Sequence, residues 1–332
     1  VSKNPETIVV TGASGGVGRA TAHEFAKDGA KIALLARDHE GLQRAASEIR
    51  DLGGQPLPIP TDVADAAQVE AAAERAEAEL GPIDIWVNDA MATVFAWFIE
   101  TTPEEFTRAT QVTYLGAVYG TMAALKRMVP RDRGTVVQVG SALSYRAIPL
   151  QAAYCGAKFG MRGFTDSVRV ELMAKKSRVW ITMVQLPGLN TPQFNWCHTK
   201  LPNHPMPVPP IFQPEVAARA VHYAAHHRRR EMYCGGSSVK AIVGTKLSPR
   251  AGDIYLALKG IDSQQMDDVP VGPDRPSNLY EPVPQEAATH GRFDSQAKKR
   301  SAQLWATTHR PLLAGALTAA VAAAGAVART LR

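Results

Sequence analysis

The chain has 332 residues, 37 Lys+Arg against 31 Asp+Glu for a net charge of +6, and 45% apolar residues, which is enough for a large buried core and excludes global disorder. Its three cysteines, Cys155, Cys197 and Cys234, are too scattered for a disulfide framework and form no Cys-x-x-Cys zinc pair, so a reducing cytoplasm is the expected setting. The charge is uneven, acidic over residues 1–100 and basic over 101–250. That imbalance suits an anionic cofactor, an acidic substrate or an anionic membrane surface better than nucleic acid, for which no recognition motif accompanies it.

Short apolar runs alternate with longer helical patterns through the first 190 residues. Strands are expected at Thr7–Thr11, Lys31–Ala36, Gln55–Pro60, Ile83–Asn88, Gly134–Gly140 and Arg178–Gln185. Helices are expected near 17–28, 39–52, 65–80, 103–129 and 152–175. This alternation predicts an α/β fold: a Rossmann-type, doubly wound parallel sheet of about seven strands flanked by helices, with ligands at the carboxyl ends of the strands.

The proline-rich stretch 202–214 is neither regular helix nor central strand and reads as a long loop near the site. A helix near 214–227 and a strand near Glu231–Cys234 complete the sheet. The domain is expected to end near residue 260, followed by a flexible, polar, Pro- and Asp-rich linker over 261–308. An apolar tail helix is expected over 309–332. Its uncharged run 311–328, between Arg310 and Arg329, is at the short limit for a membrane span. The tail reads either as a membrane attachment or as a helix docked on protein or left in solution.

Two motifs carry chemistry. The first, Thr11-Gly-Ala-Ser-Gly-Gly-Val-Gly18, follows a strand and opens a helix, the context of a dinucleotide fingerprint. Gly12, Ser14, Gly15, Gly16, Val17 and Gly18 would let backbone amides approach a pyrophosphate at the helix N-terminus. At the end of the second strand Ala36 stands where NAD-binding folds usually place an acid, and Arg37 follows. That pair favours NADP (NADPH), through a 2′-phosphate on the guanidinium, over NAD. The second motif places Tyr154 and Lys158 four residues apart, with Ser141 before them. On a helix this spacing puts amine and phenol on one face, and the cation is expected to lower the tyrosine pKa from about 10. His222, His226 and His227 have helical spacing but no acidic or thiol partner nearby in sequence, so no metal site is expected. Phe95, Trp97, Phe98, Phe194 and Trp196 would serve as apolar pocket walls or as ordinary core.

Together these features resemble the short-chain dehydrogenase/reductase family over roughly residues 5–260. The resemblance implies adenine contacts at Asp62 and Val63 and a cofactor-supporting strand end at Asn88 and Ala90. It also implies a nicotinamide loop over Pro187, Gly188, Leu189 and Thr191. In its terms Ser141 orients the substrate oxygen, Tyr154 is the acid/base, and Lys158 tunes the tyrosine and binds ribose. Thr113 replaces an asparagine that supports a proton relay to the lysine, and its hydroxyl is expected to carry an altered relay. Asp89 and Met91 also depart from the family pattern. The implied activity is hydride transfer between NADP(H) and a carbonyl or secondary alcohol of an apolar small molecule, in a homodimer or homotetramer. A catalytically weak NADPH sensor is the alternative. A nucleotide-sugar epimerase is disfavoured by the Pro187–Thr191 loop and the lack of a sizeable carboxy-terminal substrate domain.

Overall fold

A computed structural model describes residues 5–284 and 287–310. In chain order its first elements are β1 (Thr7–Thr11), α1 (Gly16–Ala26), β2 (Lys31–Ala36), α2 (His39–Asp51), β3 (Gln55–Pro60), α3 (Ala66–Leu80), β4 (Ile85–Asn88) and the two-residue β5 (Val94–Phe95). Then come α4 (Pro103–Thr110), α5 (Gly116–Arg131), β6 (Thr135–Ser141), α6 (Ala152–Ala174), β7 (Trp180–Leu186), α7 (Gln193–Trp196), β8 (His198–Thr199) and β9 (Asn203–Pro205). The remainder is α8 (Pro214–His226), β10 (Glu231–Tyr233), α9 (Gly236–Leu247), α10 (Pro249–Lys259), β11 (Gln265–Pro270) and α11 (Ala302–Thr308).

Seven strands form one parallel sheet in the order β10-β7-β6-β4-β1-β2-β3. From β1 the chain winds outward through β2 to β3 and then crosses back to place β4 on the other side of β1, so a crevice opens there at the carboxyl edge. Both faces are covered, which is why the strands read as continuous apolar runs. Ile8 and Val10 of β1 pack on the side of α1, α2 and α8, whereas Val9 faces the cluster built with α3 and α5. Pro56, Pro58 and Pro60 place β3 at the edge, where missing N–H donors cost no ladder bond.

The helix expected over 103–129 is divided. A π turn at Gln111–Leu115 separates α4 from α5. Thr113, buried at its centre, donates to the Ala92 carbonyl at 2.8 Å and accepts from the Ala92 amide at 2.9 Å. This double bond from a side chain to the loop after β4 accompanies the local widening.

The expected flexible linker over 261–308 is a correction. Among its described residues, β11 pairs antiparallel with β9, and Leu279 and Phe293 are fully buried. Arg108 Nε donates to the Leu279 carbonyl at 3.1 Å, and the Phe293 amide donates to Asn190 Oδ1 at 2.9 Å. Polar composition suggested disorder, but the segment is held through its backbone carbonyls and a few buried apolar side chains. α11 then packs against α9, with Ser301 Oγ accepting the Leu304 amide at 3.1 Å as its cap. The apolar run 311–328 lies outside the described residues. Among the described residues no helix is long and apolar enough to cross a membrane.

Integration of the extension has a measurable consequence. Leu279→Ala should lower the unfolding free energy in urea by about 2–5 kcal/mol, the usual cost of a buried leucine. A neutral result would return residues 261–308 to the status of a tether.

Candidate active site

The glycine turn between β1 and α1 is set by close backbone approach. Gly12 has φ 73°, and a Cβ at Gly18 would stand 2.3 Å from the Gly12 carbonyl oxygen. A Cβ on Gly12 would meet the Ala90 backbone at 3.0 Å, so the turn is pressed against the end of β4. Gly15, extended at φ −158°, precedes α1 without a side-chain cap, leaving the helix N-terminus to face a groove. Ser14, Gly16, Val17, Arg37, Asp62 and Val63 line that groove, of about 190 Å³. Ala90 and Thr191 border it as well.

The carboxy-terminal extension reaches the same groove, which sequence reasoning missed. The Gly16 amide donates to the Ala288 carbonyl at 2.9 Å. Arg37 donates to the carbonyls of Asn278 and Tyr280. Arg108, besides holding Leu279, pairs with Asp62 at 2.6 Å. Asp38 instead accepts the Gly41 amide at 3.0 Å and caps α2.

At the other end of the crevice, α6 brings Tyr154 and Lys158 one turn apart, and β6 ends at Ser141. Lys158 is buried and donates to the Val139 carbonyl at 2.6 Å. Its Nζ lies 5.5 Å from the centroid of the Tyr154 ring. Ser141 lies close enough to the Tyr154 phenol to favour its ionised form, and Ser141 Oγ accepts the Leu143 amide at 3.1 Å. These three residues open into a cavity of about 770 Å³, whose wall includes Pro187, Gly188, Leu189 and Thr191.

The electrostatics differ from the sequence expectation. Burial raises the Tyr154 pKa above its ordinary value; Ser141 opposes this, while Cys155 and Asp89 add to it. The expected lowering by Lys158 is therefore corrected: the lysine's electrostatic partner is Asp89, not the phenol. Burial pushes the Lys158 ammonium down and the Asp89 carboxyl up, and the attraction between them opposes both shifts. Asp89 Oδ2 lies against Gly18, 2.9 Å from where a Cβ on that residue would stand, and Asp89 borders both the groove and the cavity.

Two further residues are reassigned. Thr113 does not stand in the site, because its donor and one acceptor position are used on Ala92; its assignment as a catalytic relay is not supported. Asn88 is buried behind the groove rather than lining it. It accepts from Trp86 Nε1 at 2.8 Å and donates to Thr121 Oγ1 and Gln138 Oε1, each at 3.1 Å, so it braces the strand end. Gly18 likewise supports the turn from beneath. Of the aromatic residues, Phe194 borders the cavity and Trp196 the groove, Phe95 is core, and Trp97 and Phe98 are exposed. Much of the apolar wall comes instead from Met206, Val208, Leu247, Tyr255 and Leu256. The apolar spacing within 239–258 was the signal for it. His222 and His226 pair with Asp28 and Glu6 at the surface, and among the described residues no cluster of three or more ligating side chains could hold a metal.

Residues 6–199 match the family described as short chain dehydrogenase. Over 327 residues the chain is 32% identical to the uncharacterized oxidoreductase YxnA of Bacillus subtilis (strain 168), covering 98% of this chain and 91% of that one. The chain belongs to the short-chain dehydrogenase family. It is an oxidoreductase of that family and shares 34% identity over 196 residues with the 3-dehydrosphinganine reductase of Danio rerio, 58% of each chain. A short chain dehydrogenase/reductase from Burkholderia phymatum, solved in complex with NAD, shares the fold: the TM-score is 0.67 at 20% identity, covering 76% of this chain and 95% of that one.

The pairing of Asp89 with Lys158 sets a pH limit. Asp89→Asn removes the negative charge that opposes the effect of burial, so the Lys158 pKa falls further. The basic limb of the kcat/KM profile should then move to lower pH; an unmoved limb would show that Asp89 does not act on Lys158.

Proposed function

We propose that this short-chain dehydrogenase is an NADPH-dependent reductase of ketones or aldehydes on apolar small molecules. The observation carrying this reading is that Tyr154, with Ser141 and Lys158 beside it, lines a large, mainly apolar cavity. The glycine cradle, the helix N-terminus and Arg37 fit a dinucleotide with a 2′-phosphate: no acid stands at Ala36, and Asp38 is committed to capping α2. For the pyrophosphate to meet the Gly16 amide, the Ala288 carbonyl has to give way. When bound, the nicotinamide supplies the hydride.

The chain's own residues supply position and a proton. Tyr154 is protonated at neutral pH and can donate its proton to a carbonyl oxygen at the cavity edge. Ser141 Oγ donates to that oxygen as negative charge grows on it. Lys158, fixed on the Val139 carbonyl one turn after Tyr154, would hold the ribose beside the nicotinamide. The apolar walls exclude water from the reacting carbon. One observation favours the rival reading of a weakly active NADPH sensor: the Thr113 hydroxyl is spent on Ala92, so the relay expected behind Lys158 is missing its link.

Tyr154→Phe should leave NADPH binding unchanged in a titration and lower turnover on apolar ketones about 10²–10⁴-fold, the usual range for a lost general acid. NADPH binding with no turnover on any carbonyl, in both the native chain and the variant, would favour the sensor. For the cofactor, Arg37→Ala should weaken NADPH by roughly tenfold or more while changing NADH little, since a charged hydrogen bond contributes about 1.5–3 kcal/mol. Equal losses for both cofactors, measured by calorimetry, would remove the 2′-phosphate assignment.

A further inference from the structure

α9 and α10 form a hairpin joined at Ser248, and α10 has no buried residue. It displays Ile254, Tyr255 and Leu258, the last 70% exposed, beside Leu247 at 80% and Val243 from α9. An eleven-residue helix is too short to be stable in water by itself, so a helix this apolar needs a cover. The charges around it are one-sided. Lys240, Lys246, Arg250 and Lys259 face a single acid between residues 236 and 260, Asp253, and Asp253 is already paired with Arg146 at 2.6 Å.

That charge selects the cover. A second copy of this surface would set cations against cations. The chain's own run 311–328 carries no charge and is flanked by Arg310 and Arg329, so it cannot neutralise the lysines and arginines. A bilayer of anionic lipid offers an apolar interior beneath negative headgroups, matching both features. Leu247, Tyr255 and Leu256 also line the cavity that holds Ser141 and Tyr154. Because Leu247 and Tyr255 are largely exposed as well, this hairpin forms the mouth of the cavity.

We propose that the α9–α10 hairpin docks on an anionic membrane surface and opens the substrate cavity toward the lipid, so that an apolar, membrane-dissolved carbonyl compound enters without crossing water. The substrate part rests on the reductase reading; the docking part does not.

The test sediments the full chain with phosphatidylcholine vesicles, with and without phosphatidylserine. Native protein should bind the serine-containing vesicles preferentially. Ile254→Asp/Leu258→Asp should lower that binding about tenfold or more. Arg250→Glu/Lys259→Glu should lower it about tenfold on the anionic vesicles and little on neutral ones. None of these four residues borders the cavity, so NADPH-dependent reduction of a short, water-soluble ketone should be unchanged in both variants. A native chain that ignores both vesicles overturns the docking. So does binding lost with Leu313→Asp/Leu317→Asp but kept with the α10 variants, which would assign the contact to residues 311–328. A dimer broken by the α10 variants, with vesicle binding unaffected, overturns it in favour of a second copy. A chain that docks as expected yet reduces nothing contradicts the reductase reading alone.

Discussion

The constraint on which the site depends is the buried ammonium of Lys158. Taking a charge out of water is costly unless something replaces the lost hydration. Here the Val139 carbonyl and the field of Asp89 do so. The first ties α6 to the end of β6, and the second is a charge attraction toward the loop after β4. Tyr154, one turn earlier on the same face, is thereby carried to Ser141 at the carboxyl end of the sheet. Asp89 Oδ2 also lies against Gly18, so the same carboxyl borders the glycine turn. Asp89 thus stands between the glycine turn and the Tyr154–Lys158 pair, bordering both the groove and the cavity.

The carboxy-terminal extension changes the character of that crevice. Its carbonyls occupy Arg37 and the Gly16 amide, two groups expected to meet an anionic ligand. It therefore forms one wall of the dinucleotide groove. The α9–α10 hairpin does the same for the cavity mouth. Segments after β10 thus line both the groove and the cavity built at the carboxyl end of the sheet.

The sheet was legible because strands covered on both faces must be apolar along their whole length, and β1, β2 and β3 fall on the residues expected for them. The Tyr154–Lys158 geometry was legible for a similar reason, since four-residue spacing has one meaning on a helix. What surrounds the pair was not. The pKa of Tyr154 is raised chiefly by burial, a consequence of tertiary packing, so the expected lowering by Lys158 failed. The π turn was hidden because it forms with a bond from Thr113 to a loop distant in sequence. Residues 261–308 misled for a different reason: they are anchored largely by backbone carbonyls accepting from arginines, and a carbonyl leaves no mark in composition. The hairpin α9–α10 was passed over because its apolar residues do not define a buried stripe.

The most direct test of the account follows the transferred hydrogen. The full chain would be supplied with NADPH carrying deuterium at the nicotinamide C4 position, together with a panel of apolar ketones, and the products analysed by mass spectrometry. The account predicts an alcohol with deuterium on the former carbonyl carbon and an unlabelled proton on its oxygen. Saturating NADPH binding with no labelled alcohol from any ketone would contradict it.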